Sequence, residues 1–190
     1  MALIVYYVAG SASGRFDAGL RPRKPVRHAM NPPNVRLREV EPGDLPLFFA
    51  HQQDAVAAAM AAFTSRERAA FDAHWAKILA DETGLIRTIV LASSGSADSA
   101  PGEHVVGNIV SWNSDGKREL GYWIDRAFWG RGVATAALLA FLSLEQTRPL
   151  FAGVAKHNAA SFRVLEKCGF TFAQDDDTHV ILMLAGAGSI

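Results

Sequence analysis

The sequence predicts an α/β fold: one domain built on a mixed β-sheet of about seven strands flanked by helices. Three observations predict it. Residues 120–144, LGYWIDRAFWGRGVATAALLAFLSL, change period in mid-course. Leu120 to Ile124 is an apolar, aromatic run of strand length, whereas from Arg131 onward Val133, Ala137, Leu138, Phe141 and Leu142 recur at helical spacing. Around this strand–loop–helix unit the chain reads as three meandering strands followed by β-α-β-α-β-β, an order that packs a mixed sheet against helices. The composition is also globular, with 49% apolar and 20% charged residues over 190 positions, a length that suits one domain with a substantial core.

The elements follow in order. Met1 to Asn34 is unlike the rest. It has an apolar start from Leu3 to Ala9, a small-residue run from Gly10 to Gly14 and a basic, proline-rich stretch from Arg21 to Pro25. A signal peptide carries its positive charge before the apolar run, and here the charge comes after it. Residues 1–34 are therefore expected to be a disordered or misassigned leader, with translation starting at Met30 and the domain spanning 35–184. Val35 to Val40 alternates apolar and charged residues as a half-buried strand does. Pro42-Gly43-Asp44 ends it, and Asp44 is expected to cap the next helix. Leu45 to Phe63 is alanine-rich and helical, with a break expected near Gln53-Asp54, and Thr64 to Glu67 caps a helix whose apolar face carries Phe71, Trp75, Ile78 and Leu79.

Leu85 to Ala92 reads as a strand, and Ser93 to Gly102 as a mobile polar connection to a partner strand over His104 to Trp112. Asp115-Gly116 is a strong hairpin signal that returns the chain into Arg118 to Ile124. After the helix that starts near Val133, strands are expected over Pro149 to Ala155, Phe170 to Ala173 and His179 to Leu184. A helix over Ala159 to Cys168 separates the first two, and residues 185–190 form a flexible tail.

Several functions are excluded or disfavoured by composition. The 19 basic and 19 acidic residues balance to zero, against broad binding to nucleic acid or an anionic membrane. One cysteine permits no internal disulfide and no cysteine-rich zinc site, and it suits a reducing cytoplasm. His74, His104, His157 and His179 are scattered, with no i, i+4 pair, so no metal is expected. No apolar run reaches the roughly 18 residues of a membrane span. Cys168, just before Gly169, reads as a packed thiol beside a helix-ending glycine rather than as a nucleophile. The nearest approach to G-x-S-x-G, Gly10 to Gly14, has Ala12 at its centre, so no serine-hydrolase elbow is present.

The join Trp129-Gly130-Arg131-Gly132-Val133-Ala134-Thr135 carries the chemistry. Two glycines and no bulky residue at a helix mouth leave backbone N–H groups uncovered, and these with the helix dipole attract an anion such as a phosphate. The backbone from Arg131 through Gly132, Val133 and Ala134 to Thr135 is the candidate cradle, with the Arg131 side chain adding positive charge. A P-loop is ruled out, because Gly102 and Gly107 have its glycine spacing but Asn108-Ile109 follows. A dinucleotide fingerprint is met at Gly130 and Gly132 but has Thr135 third, and the acidic residue it wants about 20 positions on is missing near Leu150.

This join resembles motif A of the GCN5-related N-acetyltransferases (GNAT). A second motif of that family follows at the matching distance: Lys156-His157-Asn158-Ala159-Ala160-Ser161, then Leu165-Glu166-Lys167-Cys168-Gly169-Phe170. Glu119 to Ile124 followed by Phe128-Trp129-Gly130 is similar to the RimJ/RimL-like branch in particular, where Trp stands at the head of the loop. The resemblance covers about Val35 to Leu184. It implies the GNAT fold and acetyl-CoA as co-substrate, with the pyrophosphate at the glycine loop and the pantetheine arm paired along Tyr122, Trp123 and Ile124. Trp123 reads equally as core.

Acetyl transfer to an amine requires that the donor be held, the amine be deprotonated and the departing thiolate be stabilised. Asn158 caps its helix, and by resemblance also bonds the pantetheine arm. Ser161, one turn on, is the available proton donor to the thiolate, because the family's usual tyrosine position holds Leu165. Glu119 is the candidate base, placed by strand alternation on one face with Gly121 and Trp123. An ion pair with a neighbour such as Arg118 is its bland alternative. Met60, Phe63, His74 and Trp75 either line the acceptor cleft or pack the core. The expected function is an acetyl-CoA-dependent N-acetyltransferase acting on an amine of a small molecule or peptide N-terminus, by direct attack in a ternary complex. The protein is expected to be a monomer or homodimer. A non-catalytic acyl-CoA sensor and, more distantly, a nucleotide-dependent oxidoreductase are the alternatives.

Overall fold

The computed structural model describes residues 2–3, 33–93 and 102–186. One sheet runs in the order β2-β3-β4-β5-β6-β8-β7, and β1 adds to β5 from outside that path. The strands are β1 (Ala2–Leu3), β2 (Val35–Arg38), β3 (Leu85–Ser93), β4 (Gly102–Ser114), β5 (Lys117–Ile124), β6 (Leu150–Ala155), β7 (Thr171–Asp175) and β8 (His179–Leu184). The helices are α1 (Leu45–Gln52), α2 (Ala55–Met60), α3 (Arg68–Ala80), α4 (Val133–Leu142) and α5 (Ala159–Lys167). All neighbours are antiparallel except β5 and β6. A mixed sheet with flanking helices, seven strands along this path and eight with β1, is the expected architecture. The rest of the expected leader, residues 94–101 of the polar connection and residues 187–190 of the tail lie outside the described residues.

Local chemistry sets the boundaries. Asp115 and Gly116 both take positive φ, 47° and 75°, as a two-residue hairpin between β4 and β5 requires. The break between α1 and α2 falls at Asp54, whose carboxylate accepts the Ala57 N–H at 2.9 Å. α5 ends at Cys168, followed by Gly169 at φ 90°. Asp44 stands at the N-cap of α1 as expected, but its carboxylate bonds no N–H of that helix and accepts the Glu41 N–H at 2.9 Å. The buried carboxylate also accepts two bonds from Arg38, at 2.6 and 2.7 Å, and one from the Thr88 hydroxyl at 2.7 Å. It therefore ties β2 to β3, because a paired, buried carboxylate gains more there than at a helix end.

Alternation along β5 divides the core. Leu120, Tyr122 and Ile124 pack with Val133, Leu138 and Phe141 of α4 and with Val164 and Leu165 of α5. On the other face Trp123 packs with Ala57 and Ala61, and Phe48, Phe71 and Trp75 of α1 and α3 form a further cluster. Burying a side chain of this size contributes about 1.5–3 kcal/mol. β4 crowds β5 closely, since a Cβ on Gly107 would fall on the Trp123 carbonyl. Behind β5, Arg118 donates to Glu145 at 2.8 and 2.6 Å and to the Thr83 carbonyl at 2.7 Å.

Candidate active site

The glycine loop is built as the sequence suggests. Gly130 and Gly132 have φ of 74° and 78°. A Cβ at Gly130 would meet nothing, and one at Gly132 only the Pro33 ring at 3.7 Å, so conformation rather than space demands glycine there. Gly132 is the N-cap of α4 and has no side chain to offer. The first-turn N–H groups, from Val133 on, are thus left to an incoming anion. Trp129 Nε1–H donates to the Ile124 carbonyl at 2.8 Å, which fixes the loop to the end of β5. Arg131 is exposed beside this mouth, its guanidinium 5.4 Å from the Phe128 ring centroid.

Next to the loop, β5 and β6 part. Their parallel pairing runs only through Arg118↔Leu150 and Glu119↔Phe151. Further along β5, Tyr122 and Trp123 pair instead with Leu3 and Ala2 of β1. On this edge the stretch can meet a ligand only through its backbone, where β1 now pairs, while the Trp123 side chain faces the cavity on one side of the sheet. Asn158 stands at the start of α5, almost fully buried, and its Oδ1 accepts the Ser161 N–H at 3.1 Å. His157 Nε2 bonds the Ala59 carbonyl at 2.9 Å, linking the start of α5 to α2.

A cavity of about 530 Å3 opens on the Trp123 face of β5. Glu119, Gly121 and Trp123 line it together, as strand alternation requires. Glu119 is 4% exposed, and its Oε2 has no hydrogen-bond partner. Burial pushes its carboxyl above the usual range, while Lys117 pulls the other way and Asp115 adds to the rise. Arg118, the neighbour that could have paired with it, is engaged by Glu145 on the opposite face. A buried carboxylate with an open lone pair beside a cavity can accept a proton or hold an ammonium.

Ser161 lies on the other side. Its hydroxyl has no exposed surface and no hydrogen-bond partner, nor has the Tyr122 hydroxyl, although the two are close enough for Ser161 to favour Tyr122 ionisation. Burial dominates and raises the Tyr122 phenol above its ordinary value. The candidate base and acid are thus carried on opposite faces of the sheet. Cys168 is buried with its thiol pushed up to about 11 by that burial, unsuited to nucleophilic work.

Of the residues weighed for the cleft, Phe63, His74 and Trp75 line the cavity, and Met60 is not among its lining. Sequence reasoning missed Phe48 and Trp112, which also line it. The aromatic density was visible, but not which rings would stand free of the sheet. Among the described residues no group of three or more His, Cys, Asp or Glu could hold a metal, and no helix is long and apolar enough to cross a membrane.

Residues 34–171 match the family model described as acetyltransferase (GNAT) domain. Among solved structures the chain is similar to a spermidine N-acetyltransferase from Vibrio cholerae in complex with CoA and spermine, at 16% identity and TM-score 0.60, covering 80% of this chain and 95% of that one. It is similar also to the N-acetyltransferase PseH of Campylobacter jejuni in complex with acetyl coenzyme A, at 15% identity and TM-score 0.55, covering 80% and 99%. An acetyltransferase from Agrobacterium tumefaciens matches at 17% identity and TM-score 0.62, over 86% and 99%. Among the curated proteins no relative matches the sequence.

Proposed function

Because the chain belongs to the acetyltransferase (GNAT) domain family, we propose that it transfers the acetyl group of acetyl-CoA to a primary amine. The observation that carries this reading is the parting of β5 from β6 between the glycine mouth of α4 and the cavity that holds Glu119. Acetyl-CoA would supply an activated acetyl thioester. The residues present fit it: positive-φ glycines and first-turn N–H groups suit a pyrophosphate, and the backbone at Tyr122, Trp123 and Ile124 suits an amide-bearing arm that takes the edge β1 now occupies. Val133, Ala134 and Thr135 contribute N–H groups, Arg131 contributes charge, and Asn158 orients the entry to α5. Complexes of the Vibrio cholerae and Campylobacter jejuni proteins with CoA and acetyl-CoA support the same donor here. Trp129 at the head of the loop favours the RimJ/RimL-like branch, and the single buried thiol suits a cytoplasmic setting.

An amine is mostly protonated near neutrality, so catalysis needs a base. Glu119 takes the amine proton, and Ser161 supplies one to the departing sulfur. Because Glu119 must be ionised to act and burial raises its pKa, activity should rise with pH through a midpoint above the ordinary carboxylate range. Glu119→Gln should lower kcat about 10²–10⁴-fold with the donor affinity kept. The deciding measurement is calorimetric titration of the full chain with acetyl-CoA, with CoA and NAD as comparison ligands. Stoichiometric micromolar acetyl-CoA binding is expected. A folded sample that binds none, or that prefers NAD, refutes the reading.

A further inference from the structure

The cavity beside Glu119 has walls of a distinct chemistry. Phe48, Phe71 and Trp75 come from α1 and α3, Phe63 from the segment between α2 and α3, and Trp112 and Trp123 from the sheet. The rings are already set against one another. Phe48 and Trp75 are tilted with centroids 4.9 Å apart, and Phe63 meets Trp123 edge-on at 5.7 Å. Such rings offer flat faces and edges to a further ring, and their faces attract an ammonium. At about 530 Å3 the cavity is the size of a small-molecule site.

Among the described residues the lining carries three carboxylates, Glu119, Asp81 and Asp115, and two cations, Arg66 and Lys77, and of the carboxylates only Glu119 is buried. Glu119 is the buried carboxylate with an open oxygen. Asp81 Oδ1 accepts the Thr83 N–H and hydroxyl at 2.9 and 2.6 Å, and Asp115 sits on the exposed β4–β5 turn. Arg66 and Lys77 add positive charge, Arg66 lying 5.1 Å from the Phe63 ring centroid. His74 is kept neutral by burial, with Arg66 and Lys77 reinforcing this, its pKa falling to about 4. A polyamine needs a carboxylate for each of several ammonium groups and gains from none of these cations.

We infer, resting on the acetyltransferase reading, that the acceptor is an aromatic monoamine, a single primary ammonium carried on a flat apolar body. The ammonium sits at Glu119 and the ring between Phe63, Trp75 and Trp123. The ammonium gives one proton to Glu119, and the freed amine nitrogen forms the new N–C bond to the acetyl carbon. The C–S bond breaks with its electron pair on sulfur, and the sulfur takes a proton from Ser161, made good by the second proton the nitrogen sheds, to leave as the thiol of CoA.

The test uses the full chain with acetyl-CoA and follows thiol release for 2-phenylethylamine and tryptamine against hexylamine, spermine and an alanine-led tripeptide. The aromatic amines should exceed the others at least tenfold in kcat/KM. Equal or better turnover of spermine, hexylamine or the peptide overturns the proposal, as does no turnover of either aromatic amine. Independently of turnover, 2-phenylethylamine should quench the cavity tryptophans saturably where hexylamine does not. Equal quenching by both overturns the proposal. Phe63→Leu, at a half-buried position, should raise KM for 2-phenylethylamine at least fivefold while changing the acetyl-CoA Kd less than twofold. An unchanged KM would remove the aromatic wall from the argument. The donor reading stands or falls separately, on the acetyl-CoA titration, so failure there is distinguishable from failure of the acceptor class.

Discussion

Glu145→Gln is the sharpest perturbation of the scaffold behind the site. Glu145 is 3% exposed, Arg118 9%. Burial works against ionisation of this carboxylate, but bonds from the Ser111 hydroxyl, the Arg118 guanidinium and the Thr147 N–H overcome it and hold the group at about 2, against 4.5 ordinarily. At about 1.4 kcal/mol per pH unit, that difference corresponds to about 3 kcal/mol of folding stability. Removing one partner of a buried pair costs about 3–5 kcal/mol by independent reasoning, so the two figures agree. A depressed folded-state value means the contribution is complete above pH 4.5 and lost as pH falls towards 2. Urea unfolding of wild type and Glu145→Gln should therefore differ by about 3 kcal/mol at pH 7 and by less than half of that at pH 3, where wild type also begins to protonate. A gap that stays the same from pH 7 to pH 3 would refute the reasoning, because the ionised carboxylate would then contribute nothing.

Three further outcomes are expected. Gly132→Glu forces a side chain into positive φ and places a carboxylate at the anion site, and it should weaken acetyl-CoA binding at least tenfold by calorimetry. Undiminished binding would remove the phosphate cradle. With its thiol raised from 9 to about 11, Cys168 should react with a disulfide reagent about 100-fold more slowly in the native protein than in urea, and comparable rates would contradict its burial. A chain starting at Met30 lacks β1 but keeps the sheet path from β2 onward, so its Tm should stay within about 4 °C of the full chain. It should bind acetyl-CoA at least as tightly, since β1 lies on the strand edge assigned to the donor arm. Weaker binding would mean β1 helps to form that edge.

The local signals were legible in the sequence and the long-range ones were not. Alternation placed Glu119, Gly121 and Trp123 on one face, and Asp115-Gly116, Gly132 and Gly169 announced backbone conformations that only a few residues adopt. Asp44 is at the helix start the sequence marks, but its side-chain partners Arg38 and Thr88 are recruited by folding, Thr88 from 44 positions away. The choice between Glu119 as a paired or a free carboxylate was open for the same reason. It turned on Glu145, 27 positions beyond Arg118, which no pattern around residue 119 could reveal. The cavity was half visible. Aromatic residues at helical spacing are the same whether a helix lies flat on a sheet or stands off from it, and only the packing of α1–α3 separates the two.

The contact between Gly107 and the Trp123 carbonyl also sets how the sheet can yield. β4 acts there as an abutment, so β5 cannot retreat from anything that enters on its far edge. Beyond the short ladder at Arg118–Leu150 and Glu119–Phe151, β6 and α5 are held to β5 by shared core side chains rather than by backbone pairing between the two strands. The molecule is in this sense a book with a short spine. One leaf runs from β2 to β5, the other from β6 to β8 with α5, and the core side chains they share set the width of the opening between them.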